Sequence, residues 1–265
     1  MKKNIINILM ILCIIVIVGC GGYLGHYFYN SYKSEKAIGD LREMIVQEEE
    51  TKPSDDQSES GPEMVKVDGI WVQKKFEELY KDNHDFMGWI KIADTNVDYP
   101  VMYTPNDSEN GEYYIHRDYA GEYSAAGLPF IDKNCGIYVP TDNVIIYGHN
   151  MNSGKMFRDI TKYESVDFYE SHKTFTFDTI YEDGTYEVVA AFYAQILDDD
   201  STDFKYYEFV NAADEEEFMN FVDNVKRMSI LDTGVNVQYG DQLITLSTCA
   251  YHVEDGRFAV VARKK

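Results

Sequence analysis

The sequence predicts a mainly β domain, closed into a barrel or a sandwich, with helices at its N-terminal side and an apolar segment ahead of it. Three observations lead there. Seven short runs rich in Val, Ile, Tyr and Phe recur between Gly, Asn, Asp and Pro. Aromatic residues make up 14% of the 265 residues, with 22 Tyr and 14 Phe, a usage that favours strands. The stretch 5–24 is almost wholly apolar, and about 20 such residues suffice to cross a hydrocarbon core as a helix.

The N-terminus sets the compartment. Lys2 and Lys3 precede the apolar stretch, and positive charge stays on the cytoplasmic side. Residues 1–30 are therefore expected to be a membrane anchor, with the N-terminus inside and everything after about residue 30 outside. An uncleaved signal anchor is the first reading. A lipoprotein-type signal is the second, with Ile17-Val18-Gly19-Cys20 placing a lipid on Cys20 after cleavage. A cleaved secretory signal is the third, and no A-x-A-like site supports it.

Residues 31–66 read as a spacer that begins as a helix. Ala37, Ile38, Leu41, Met44 and Ile45 recur at helical spacing, and the charged, Pro/Gly/Ser-containing stretch 48–62 follows. The folded domain is expected over 67–265. Val72, Phe76, Leu79 and Tyr80 predict a short opening helix. The predicted strands are 88–92, 97–103, 128–132, 144–147, 186–196, 242–248 and 258–263. One helix over 211–229 interrupts the last of them. Asn211 is its candidate cap, Asp214 to Glu217 fill its first turns, and Lys226 and Arg227 its last, an order that suits the helix dipole. Its apolar stripe from Phe218 to Met228 reads as core packing.

Composition excludes several functions. Acidic residues outnumber basic ones 46 to 24, a formal charge of −22. Such a surface repels phosphate backbones, so no nucleic-acid partner is expected. Of four cysteines, Cys13 and Cys20 lie in the apolar segment, which leaves no disulfide framework. No Cys/His spacing suits zinc, so neither a structural metal nor a cofactor is expected; calcium dependence stays open, since acidic residues are many but no ordered Ca²⁺-loop pattern occurs.

Cys249 ends the predicted strand before it, where a side chain is held rigidly and can still meet solvent. An exposed thiol gains reactivity when cations stabilise its thiolate, and His252 and Arg257 follow closely. Arg257 would open the neighbouring strand, where a guanidinium can stabilise an oxyanion. The plain alternative for Cys249 is a small buried hydrophobe. Cys135 is the rival thiol, in the turn-like Asp132-Lys133-Asn134-Cys135-Gly136, and a Cys135–Cys249 disulfide is conceivable in an exported protein. Among the histidines, His149, His116 and His252 stand as equal candidates for a base. Gly148 would give the backbone freedom to aim the His149 ring.

Thr245-Leu246-Ser247-Thr248-Cys249, followed by Arg257 and preceded by Tyr147-Gly148-His149-Asn150, resembles the sortases of Gram-positive bacteria, and most of all class B. The resemblance spans roughly 68–265 and includes the Asp98-Tyr99-Pro100-Val101 strand. It implies the eight-stranded sortase barrel, with one helix inserted before the cysteine strand. Cys249 would attack the carbonyl of a Thr in a C-terminal sorting motif of a secreted protein and form a thioacyl enzyme. An amine of a peptidoglycan precursor would resolve it. His149 would act as general acid/base and Arg257 would stabilise the oxyanion. Ser247, two residues before Cys249 and on the same strand face, would contact substrate. A pilin-polymerising sortase and a non-enzymatic, membrane-tethered binding lipoprotein remain as alternatives.

Overall fold

The computed structural model describes residues 2–50 and 61–265; of the expected spacer, residues 51–60 lie outside the described residues. The chain opens with α1 (Lys2–Glu50), a single helix of 49 residues. The segment expected as an anchor and the amphipathic helix expected after it are thus continuous, with no proline between them to break the ladder. At 1.5 Å per residue α1 is roughly 70 Å long. Its two halves differ. Leu9 to Val18 are more than half exposed, with no part of the chain covering them. Ile38 and Leu41 are buried on the folded domain, and Ile45 packs beside them.

The domain begins with a hairpin, β1 (Met64–Val67) and β2 (Ile70–Gln73). Asp68 and Gly69 join the strands at φ 47° and 93°. Two positive φ values in a two-residue loop are the type I′ geometry that Asp-Gly favours. The opening helix is therefore shorter than expected. Val72 lies in β2, and the helical part is a 3₁₀ turn at Lys74–Phe76 followed by α2 (Glu77–Asp82). Phe76, Leu79 and Tyr80 are buried, as their spacing predicts.

Eight strands close the barrel. They are β3 (Phe86–Lys91), β4 (Asp98–Met102), β5 (Phe130–Ile131), β6 (Asn143–Tyr147), β7 (Thr174–Thr179), β8 (Thr185–Gln195), β9 (Leu243–Cys249) and β10 (Gly256–Lys264), in the spatial order β10-β8-β7-β3-β4-β5-β6-β9. All neighbours are antiparallel except β4 with β5 and β6 with β9. The β6–β9 pair forces a long crossover, which carries α3 (Val166–Ser171), β7, β8 and α4 (Glu215–Met228). Closure leaves no free sheet edge.

Alternation divides the core in two. Ile244, Leu246, Phe258 and Val260 join one cluster with Ile90, Val101 and Ile146; Leu243, Ala259 and Val261 join a second with Phe192, Phe218, Phe221 and Val225. β9 and β10 are thus buried on both faces, the second by α4. That helix starts later than predicted. Asp214 is extended at φ −159° and its carboxylate accepts from the Glu217 N–H at 3.0 Å, so it holds the cap assigned to Asn211. Asn211 instead accepts from the Asp142 N–H.

Candidate active site

Three neighbouring strands bring the candidate residues to one end of the barrel. β6 and β9 run parallel with Tyr147 opposite Ser247. Two residues further, that register sets His149 level with Cys249. β9 and β10 run antiparallel with Cys249 directly opposite Arg257. Directly opposed residues share a face, with Cβ atoms about 5 Å apart. Two bonds fix the register there. The Gly148 N–H donates to the Ser247 carbonyl at 3.1 Å, and the Thr248 hydroxyl donates to the Gly148 carbonyl at 2.7 Å.

Cys249 is half-buried and its thiol is free. Its carbonyl accepts from Asn150 Nδ2 at 2.7 Å, and Asn150 Oδ1 accepts from the Arg158 guanidinium at 3.1 Å. Cys135 is free as well and sits four β-rungs away, where its sulfur accepts from the Ile145 N–H at 3.3 Å. No disulfide joins the two. Burial pushes the Cys135 thiol up to about 12, so it is an inert core group.

The three candidate imidazoles part company. His149 is half-buried at the end of β6, and His116 stacks on it with ring centroids 5.2 Å apart. His252 is exposed on the β9–β10 loop against Tyr193. The Nε2 of His149 lies 2.8 Å from the Ile115 carbonyl. A carbonyl only accepts, so Nε2 carries the proton and Nδ1 keeps its lone pair. Burial lowers the His149 pKa; the Ile115 carbonyl opposes that and His116 adds to it. Gly148 serves this arrangement differently than expected. Its φ is not positive; a Cβ there would come 2.7 Å from the Phe157 ring. Glycine makes room for a close approach.

Residues 90–265 match the family model described as the sortase domain. The chain belongs to the sortase family. It is 35% identical over 179 residues to sortase B of Listeria monocytogenes, covering 67% of this chain and 68% of the relative. Sortase B of Staphylococcus aureus is 31% identical over 194 residues, covering 72% and 75%. The solved S. aureus sortase B–substrate complex superposes with a TM-score of 0.69 at 27% identity, covering 87% of this chain and 94% of that one. As a sortase, the chain is a cysteine transpeptidase rather than a binding lipoprotein.

Within this sortase, Arg257 is half-buried and donates through Nη1 to the Asp255 and Gly256 carbonyls at 3.2 and 3.0 Å. Ser247 is only 1% exposed, and its hydroxyl bonds Tyr206 Oη at 2.7 Å. A substrate reaches Ser247 only if Tyr206 yields. Sequence reasoning passed over two residues here. Tyr206 is fully buried, pushed up to about 12 by that burial, and feels the charges of both Arg257 and Cys249. Nothing in its Phe204–Phe209 surroundings marks it. Asn150, 7% exposed, was visible only as the residue after His149.

Proposed function

We propose that this sortase cleaves a C-terminal sorting motif after Thr and passes the acyl group to an amine of a peptidoglycan precursor. The Cys249 thiol gives its proton to the free Nδ1 of His149, the resulting thiolate attacks the Thr carbonyl, and the tetrahedral oxyanion forms beside the Arg257 guanidinium. The C–N bond breaks as His149, protonated at Nδ1, gives that proton to the leaving amine. The acceptor amine gives a proton to Nδ1 as it attacks the thioester, the C–S bond breaks, and the thiolate–imidazolium pair is restored. Ser247 contacts the motif once Tyr206 yields its bond to the Ser247 hydroxyl. The α1 helix holds the enzyme in the cell membrane as an uncleaved signal anchor, N-terminus inside and barrel outside. Mass spectrometry of Cys20 decides between this anchor and lipidation.

The observation that carries this reading is the direct Cys249–Arg257 pair, with His149 delivered to the same level by β6. The test incubates the full chain with a panel of sorting-motif peptides and amine acceptors. A Thr–X bond should be cleaved, a thioacyl adduct should map to Cys249, and Cys249→Ala should abolish both. If no peptide is cut, or the variant cuts as well as the parent, the proposal fails.

A further inference from the structure

The path of α1 along the barrel fixes which end of the enzyme faces the membrane. From its apolar half upward, the helix meets the catalytic end first. Ser31 and Glu35 bond Lys155 Nζ at 3.1 and 2.9 Å, and Lys155 lies in the loop that follows His149 and Asn150. Ser34 bonds Ser124 at 3.3 Å, and the Ser124 N–H donates to the carbonyl of His116, whose ring stacks on His149. Higher up, Arg42 bonds the Asp98 carboxylate and carbonyl, both at 2.9 Å. Only near residue 48 does the helix reach the other end. The charge of Glu48 acts on Lys74, and its neighbour Lys75 bonds Asp178 and Asp183 beside the β7–β8 turn. That turn is distal, because β8 starts opposite the C-terminal residues of β10 and ends opposite Gly256 and Arg257.

We infer that α1 holds the barrel with its catalytic end turned toward the bilayer, so that the rim around Cys249 meets the headgroup region before the distal end of the barrel does. This rests on α1 being the anchor. Ser31 and Glu35 lie seven and eleven residues beyond Leu24, the last residue of the apolar stretch, so roughly 10 and 17 Å along the helix axis. The polar interface is only about 5–8 Å thick on each side. The rim carrying Cys249, His149 and Arg257 therefore stands just above the headgroups.

The surroundings fit such a partner. The junction of α1 and barrel encloses a cleft of about 740 Å³, lined on α1 between Tyr23 and Arg42 and on the barrel by Tyr99, Tyr123 and Met151. Tyr23, Phe28, Tyr29 and Tyr32 stand exposed on α1, and Tyr123, Tyr251 and Val253 on the catalytic-end loops. Amphipathic aromatics of this kind settle at membrane interfaces. Exposure alone does not choose the end, since Trp71 and Tyr138 are exposed distally; the helix path does.

The test is a distance measurement on the full chain in vesicles. Dye is placed on Val253→Cys or on Val139→Cys, in a chain carrying Cys13→Ala, Cys20→Ala and Cys249→Ala; Cys135 is buried and stays unlabelled. Acceptor dye sits on the lipid headgroups. The nine residues of β10 put the two ends roughly 30 Å apart, so the label at 253 should be quenched about twofold or more over that at 139. A helical heptad inserted after Leu24 should weaken quenching at both and keep the order. Equal quenching, or the reverse order, overturns the inference. A chain that does not float with vesicles overturns it together with the anchor. Labels in the expected order with no peptide cleaved by the parent chain leave the orientation standing and remove the proposed reaction instead.

Discussion

At the residue scale, the groups that hold the reacting atoms decide as much as the atoms themselves. Asn150 joins the Cys249 carbonyl to Arg158 while nearly buried. Asn150→Ala leaves that carbonyl and the guanidinium without their partner, and a buried polar group so orphaned costs about 1–3 kcal/mol. The expected outcome is a stability loss of that size in urea titration, and a fall in kcat of about tenfold or more with KM nearly unchanged. Tyr206→Phe keeps the ring and loses one hydrogen bond to Ser247, so about 1 kcal/mol should go. If Ser247 then reaches the substrate more freely, KM should fall rather than rise. His149 gives a pH signature. Burial lowers its folded pKa below the unfolded value, near 6.5, so below that value the unfolded chain binds more protons. Stability should therefore drop as pH falls from about 6.5 toward the depressed pKa. The difference in melting temperature between parent and His149→Gln, taken from pH 7.5 to 5, isolates this contribution from the carboxylates. Sequence places Cys249 and Arg257 at strand boundaries, where the structure sets them opposite each other; the choice of His149 over His116 and His252 rests on the family resemblance. Asn150 and Tyr206 were not readable from sequence, because their roles depend on contacts across 99 and 41 residues of chain, which no local pattern records.

At the element scale, the strands were visible where burial on both faces writes a continuous apolar run, as in β6, β8, β9 and β10. β7 was passed over, although Thr-Phe-Thr-Phe-Asp-Thr alternates buried and open residues in the half-buried pattern. The β1–β2 hairpin is masked in the sequence because Val72, Phe76 and Leu79 mimic one helical face. The helix before the cysteine strand was placed correctly apart from its first turn. Its cap gives a prediction: Asp214→Ala should cost about 0.5–2 kcal/mol, whereas Asn211→Ala leaves the helix cap intact. Thermal unfolding of the two variants separates them. The close approach of Gly148 to Phe157 gives another. Gly148→Ala forces Phe157 to shift, at a cost of about 1–3 kcal/mol, and moves the loop that follows His149.

At the scale of the whole molecule, electrostatics and anchoring pull in opposite directions. The chain carries a formal charge of −22, and bacterial-type anionic headgroups repel a body of that sign. Salt at physiological strength screens this beyond about 8 Å but does not turn it into attraction. Among the described residues, the large favourable contact with a bilayer lies in the exposed apolar half of α1, where 18 residues reach a mean hydropathy of 2.1. A few kilocalories of polar repulsion are small beside the thirteen Ile, Leu, Val and Met side chains of residues 5–24, each worth about 1.5–3 kcal/mol when it leaves water. The balance predicts that membrane association of this enzyme is indifferent to lipid charge and to salt. A chain cut before Ser31 loses Lys2 and Lys3 as well as the apolar segment, so it becomes two charges more negative while keeping the part of α1 that packs on the barrel. In vesicle flotation the full chain should rise with neutral and anionic lipid alike, from low salt to 0.5 M. The cut chain should stay at the bottom under every condition. Binding of the cut chain to anionic vesicles at low salt would reveal a basic contact surface that the charge balance excludes. Release of the full chain by salt would show that charge, and not the apolar half of α1, does the anchoring.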